Sequence, residues 1–186
     1  YKITNAGTHL ETPQLTVEAW IKPQPISSEW KMIIGCIDYG GWAFYMQNNR
    51  LNFGRVNARD SLTQSSINIL DNIWTHVAVS YDGTNIKFYI NGILAENIPN
   101  KVWPINSNNG SYAIGQVVNI KEFYKGSVDE IRIWNTIRDQ TQIKSNLNCE
   151  LIGTEAGLIL YYKFNETSGT IIEDATKYSH NALVQS

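Results

Sequence analysis

Charge is scarce in this chain. Asp, Glu, Lys and Arg make up 17% of its 186 residues, against the quarter usual in soluble domains. The two signs nearly cancel, to a net −2, so no basic field exists to hold a nucleic-acid backbone and no nucleic-acid partner is expected. No apolar run reaches the ~18 residues that a membrane-spanning helix needs. No leader segment is visible, and the chain begins at Tyr1 without a Met, which reads as a piece of a longer protein whose targeting signal lies upstream. Cysteines number two. Cys36 sits in the apolar run Met32-Ile33-Ile34-Gly35-Cys36-Ile37 and is expected as a buried free thiol. Sequence does not show whether its Cα approaches that of Cys149, as a disulfide would require. Paired His or Cys at zinc-ligand spacing are absent, as are a G-x-S-x-G elbow, a phosphate loop and an EF-hand loop. The three histidines, His9, His76 and His180, are scattered.

What is present is alternation. In Leu15-Thr16-Val17-Glu18-Ala19-Trp20-Ile21-Lys22 one face carries Leu, Val, Ala and Ile, the other Thr, Glu, Trp and Lys. That period of two predicts a half-buried strand, stopped at Pro23 and Pro25. Strands are likewise expected over 31–38, 42–47, 51–56, 74–81, 85–90, 112–116, 127–134 and 158–164, with short ones around Ile171 and 182–184. Turns are expected at 39–41, Asn48-Asn49, Asp82-Gly83 and Asn91-Gly92, where Gly or Asn accepts a positive φ. Residues 97–110, with two prolines and several asparagines, read as loop. One short helix is expected over 140–147, capped by Asp139, with Ile143 and Leu147 on one face. Many short strands without intervening helices exclude a parallel α/β fold and predict an all-β sandwich of two antiparallel sheets. No internal repeat, linker or composition shift divides residues 1–186, so one domain is expected.

Five stretches, in order, carry a resemblance. They are 15–23, Trp74-Thr75-His76-Val77-Ala78-Val79-Ser80-Tyr81-Asp82-Gly83, Ile86-Lys87-Phe88-Tyr89-Ile90-Asn91-Gly92, Gly126-Ser127-Val128-Asp129-Glu130-Ile131-Arg132-Ile133-Trp134-Asn135 and Gly157-Leu158-Ile159-Leu160-Tyr161-Tyr162-Lys163-Phe164. Together the chain resembles the laminin-G-like jelly rolls of the concanavalin A-like lectin and glucanase superfamily. The stretch 33–51 also resembles the jelly-roll half of clostridial neurotoxin binding domains, as shared fold. The resemblance implies a jelly-roll sandwich, often appended to secreted enzymes, toxins and adhesins. Glycosidases of the superfamily carry Glu-x-Asp-x-Glu on one strand, and this sequence has no such triplet. Asp129 and Glu130 are adjacent and in a regular strand would face opposite ways. Catalysis is therefore not expected. Relatives hold a structural Ca²⁺, and Asp129 matches their ligand position. Asp174 is a second candidate, but Ala175-Thr176-Lys177-Tyr178-Ser179 departs from the Gly-rich loop that follows it in relatives.

Aromatics supply the functional hint, with six Trp and ten Tyr. Sugars stack their C–H faces on such rings while polar side chains bond the hydroxyls. Trp42, Tyr45, Asn49, Arg55 and Asn57 lie in the meander that would present such a surface. Trp30 and Trp103 are expected at a strand edge and in a loop, free to bind. Trp20, Trp74 and Trp134 occupy framework positions of the family pattern. The sequence thus predicts a non-catalytic, lectin-like module of a secreted or cell-surface protein, binding a glycan or a cell-wall polymer. A structural or protein-interaction module without a sugar site is the alternative, and a glycan hydrolase or lyase a third.

Overall fold

The structure, a computed structural model, describes residues 1–4, 6, 9–25, 30–36, 41–55, 63–102, 111–117 and 120–184, with backbone only at 55, 117 and 120–122. Strands β1 (Lys2–Ile3), β2 (Leu15–Pro23), β3 (Trp30–Cys36), β4 (Trp42–Gln47), β5 (Arg50–Arg55) and β6 (Thr63–Asn68) come first. Then follow β7 (Thr75–Tyr81), β8 (Ile86–Ile90), β9 (Ile93–Ile98), β10 (Tyr112–Ile114), β11 (Gln116–Val117) and β12 (Ile120–Phe123). The chain ends with β13 (Gly126–Trp134), helix α1 (Gln140–Asn146), β14 (Leu158–Tyr162), β15 (Ile171–Ile172) and β16 (Ala182–Leu183).

Two antiparallel sheets result, as the alternation predicts. One has the order β15-β16-β1-β10-β3-β4-β5-β6, the other β14-β13-β2-β7-β8-β9. β11 and β12 form a separate ribbon. Inward residues of both sheets share one core, in which Val17, Ala19 and Ile21 of β2 meet Trp42, Phe44 and Met46 of β4 and Leu51 and Phe53 of β5. Each fully buried apolar side chain of this kind contributes roughly 1.5–3 kcal/mol. The Asn91-Gly92 turn has φ of 48° and 72°, the pair that a two-residue hairpin requires.

Strands β6 and β9, like the short β1 and β12, are additional to those expected. Thr63 and Ser65 alternate as buried residues of β6, but polar ones, so no apolar period marks the strand. Strands β6 and β9 lie at edges of different sheets, and the Ser66 N–H donates to Glu96 Oε2 across them at 2.6 Å. The turn residues 39–40 lie outside the described residues. Neither cysteine is in a disulfide; Cys36 is buried and Cys149 exposed. Among the described residues no helix is long and apolar enough to cross a membrane.

The outer face of the six-stranded sheet is not bare. Asp139 caps α1, accepting from the Gln142 N–H at 2.9 Å while Gln142 Oε1 accepts from the Asp139 N–H at 3.0 Å. Ile143 then packs the helix on Ala78 and Tyr89. Beneath the helix and the segment after it lies a buried polar layer of Thr16, Glu18, His76, Ser80 and Arg132. Glu18 Oε1 accepts from the Trp134 indole at 2.7 Å, and Oε2 lies 3.4 Å from His76 Nε2. Burial by itself would raise the Glu18 carboxyl. The His76 imidazole set against Oε2, the nearby Arg132 charge and the Trp134 hydrogen bond outweigh it and hold the group below the usual range.

Candidate ligand cleft

A cleft of ≈ 410 Å³ opens on this outer face, beyond the C-terminal end of α1. Trp20 and Trp74 give it aromatic walls, and Asp129, Glu130, Arg132 and residues 147–150 complete it. Its geometry follows from one irregularity. Asp129 pairs with Trp20 and Arg132 with Glu18, so β13 carries one residue more than β2 over this step. Glu130 takes the left-handed φ of 52°, a bulge that re-aims side chains. Adjacent acids would face opposite ways in a regular strand; here the bulge brings both Asp129 and Glu130 to the cleft.

The charges in the cleft are unequally engaged. Arg132 is 1% exposed. Its Nη1 donates to Asn146 O at 2.8 Å, and its Nη2 donates to Glu130 Oε2 and Cys149 O, each at 2.5 Å. Glu130 Oε2 also accepts from the Tyr161 hydroxyl at 2.6 Å. Glu150 accepts from Lys163 Nζ at 2.7 Å. Asp129 Oδ1 accepts the Glu130 N–H at 2.9 Å, and Oδ2 has no hydrogen-bond partner among the described residues. Burial first, then the Glu130 charge, push the Asp129 carboxyl above its usual range, against that N–H bond and Arg132. The Trp20 indole donates to Leu147 O at 3.0 Å, which fixes the ring against the post-helix segment. Trp74, just ahead of β7, is 42% exposed.

Among the described residues singled out in the meander, Trp42, Tyr45 and Asn49 are each engaged elsewhere. Trp42 points into the core, fully buried, its indole donating to Leu10 O at 2.8 Å and its ring packed 5.2 Å from that of Tyr112. It offers no free ring face, because the period that turns Phe44 and Met46 inward turns Trp42 inward too. Tyr45 faces the other way but is 1% exposed, stacked on Trp30 at 4.7 Å and 18°. The expected free Trp30 is thus half of a closed aromatic pair. Asn49 holds a turn: its Oδ1 accepts from Lys31 Nζ at 3.3 Å and its Nδ2 donates to Asp71 Oδ2 at 3.4 Å. The backbone of Arg55 pairs with Trp42, and its side chain, like Asn57 and Trp103, lies outside the described residues.

Of the two calcium candidates, Asp174 is buried and committed to the chain. It accepts the N–H groups of Tyr161, Thr176 and His180 and the Thr176 hydroxyl, all at 2.9–3.0 Å. This acceptor set closes the turn that follows β15 and does not fit a cation ligand. Asp129 keeps one open oxygen. Among the described residues no three His, Cys, Asp or Glu side chains gather as a metal group.

The family pattern assigns Trp20 and Trp74 to framework, whereas both line the cleft. The signal was present in β2, where Trp20 stands on the polar side of the alternation.

A family model described as "Concanavalin A-like lectin/glucanases superfamily" matches residues 1–144. A Bacteroides ovatus protein assigned a carbohydrate-binding role is similar at 24% identity and a TM-score of 0.75, over 91% of this chain and 51% of that one. Domain 4 of an extracellular GH43 arabinanase from Geobacillus stearothermophilus, solved with arabinotriose, is similar at 23% identity and a TM-score of 0.57, over 72% and 66%. The binding domain of botulinum neurotoxin serotype G is similar at 21% identity and a TM-score of 0.55, over 73% and 36%. At these identities the likeness shows the fold alone, and the chain spans about half the length of the Bacteroides protein. No curated protein matches the chain.

Proposed function

We propose, on the premise that the chain belongs to the concanavalin A-like lectin/glucanases superfamily, that it is a non-catalytic glycan-binding module of a secreted or cell-surface protein. The ligand site is the Trp20–Trp74–Asp129 cleft. One observation carries this reading: a solvent-exposed indole stands in a cleft with a second indole and a carboxylate, one oxygen of which has no hydrogen-bond partner among the described residues. A sugar ring covers the apolar face with its C–H groups, and a hydroxyl donates to the carboxylate. The carbohydrate-binding assignment of the Bacteroides protein and the arabinotriose held by the arabinanase domain support it by analogy of fold.

Glycoside hydrolysis requires two carboxyl groups free to act. Arg132 and Tyr161 occupy Glu130, and Lys163 occupies Glu150, which leaves Asp129 alone. A protein-interaction role is the second reading. Leu70 at 63% exposure and Ile73 at 51% stand in the same loop as Trp74 and are apolar.

A glycan array followed by calorimetry, each with and without EDTA, separates these readings and tests calcium. Trp74→Ala is expected to lower glycan affinity by about tenfold or more, roughly 1.4 kcal/mol, with an unchanged circular-dichroism spectrum. A folded wild-type domain that binds nothing on the array favours protein interaction, and release of reducing ends would show catalysis.

A further inference from the structure

We propose that the cleft selects neutral sugars and rejects those carrying a carboxylate. The inference rests on the glycan reading above and deepens it. The cleft's cation, Arg132, is walled in: its terminal nitrogens all donate to Glu130 and to backbone carbonyls, and the side chain is buried. Lys163 is held by Glu150. Lys22, the next outward residue of β2 beyond Trp20, lies opposite Ser127 and does not line the cleft. Among the described residues, then, no lining residue presents a free cationic donor to a ligand anion.

Negative charge is differently placed. Asp129 sits directly across from Trp20 in the β2–β13 register, with an open acceptor oxygen and no ion pair among the described residues. Glu130 and Glu150 line the same cleft, each paired. A sugar stacked on Trp20 and Trp74 brings its ring substituents to Asp129. A hydroxyl there donates a hydrogen bond to the carboxylate, a charge-assisted contact stronger than a neutral one. A ring carboxylate in that place has no proton to give and meets a like charge in a partly desolvated site, where screening by salt is weak. Repulsion of this kind sets specificity by penalising the wrong ligand.

The test uses immobilised galactan, glucan and mannan oligosaccharides beside galacturonan, glucuronan and mannuronan of the same length. Wild type is expected to retain at least one neutral member and to bind its uronic counterpart at least tenfold more weakly. Asp129→Asn keeps the shape and removes the charge. It is expected to narrow that ratio severalfold by raising uronic binding, while Trp74→Ala lowers both. Equal binding of a neutral glycan and its uronic partner by wild type overturns the selectivity and leaves the glycan reading standing. An unchanged ratio in Asp129→Asn, in a variant that still binds the neutral glycan, also overturns it. Retention of neither class overturns the glycan reading, and the selectivity with it.

Discussion

A single buried carboxylate, Glu18, organises the polar layer under α1. It accepts from the Trp134 indole, lies against His76 and attracts Arg132. Removing one partner of such a group leaves the others buried and uncompensated, which costs about 3–5 kcal/mol. Glu18→Ala is therefore expected to lower unfolding free energy by about 3 kcal/mol in urea titrations. Glu18→Gln retains an acceptor for Trp134 and should lose less. The folded carboxyl is held below its unfolded value of 4.5. Its contribution is thus present above pH 4.5 and lost as pH falls through the folded value. In the sequence Glu18 looked like any polar residue of an alternating strand. Its full burial depends on a helix more than a hundred residues away, which no local pattern reports.

Turns and caps carry their chemistry within a few residues. Asp82 accepts from the N–H groups of Thr84 and Asn85 at 2.9 and 2.7 Å and from both of their side chains. Burial pushes its carboxyl slightly up, and those bonds outweigh it, bringing the carboxyl down to about 2. The turn's contribution is accordingly full above pH ~3.8, the unfolded value, and fades as pH falls toward 2. Asp82→Ala is expected to cost about 1 kcal/mol at neutral pH, read as a lowered thermal midpoint. These elements were legible because their donors and acceptors are near neighbours in sequence: the Asp82-Gly83 turn, the Asp139 cap and the bounds of β4 follow from local spacing. The bulge at Glu130 was not legible, because an extra residue in β13 acquires meaning only against the count of residues in β2.

The two ends of the chain meet. β1 pairs with β16, and His9 Nδ1 lies 2.7 Å from His180 Nε2, a hydrogen bond that needs at least one neutral ring. Burial, and then the His180 charge, hold His9 below its ordinary value of 6.5, with Asp174 opposing and Lys177 adding to the shift. A histidine lowered on folding stabilises the native state above pH 6.5, and the stabilisation is lost as pH falls from there through the folded value. Thermal midpoints should therefore drop on acidification from pH 7 to 5.5, and His9→Gln should flatten that part of the profile. Partial exposure of His9 keeps the effect small.

From the sequence alone came most of the long strands, the tight turns, the helix with its cap and the two-layer architecture. Side-chain direction follows backbone period, and the period is local. Tertiary structure alone decided which tryptophans remained open. Trp42 and Trp20 both stand in alternating strands, yet one is enclosed between sheets and the other borders a cleft. Covering depends on where the helix, the post-helix segment and the bulge come to rest, and those contacts join residues far apart along the chain. The family pattern marks Trp20 and Trp74 as framework. Only the packed molecule brings their rings to one cleft with Asp129.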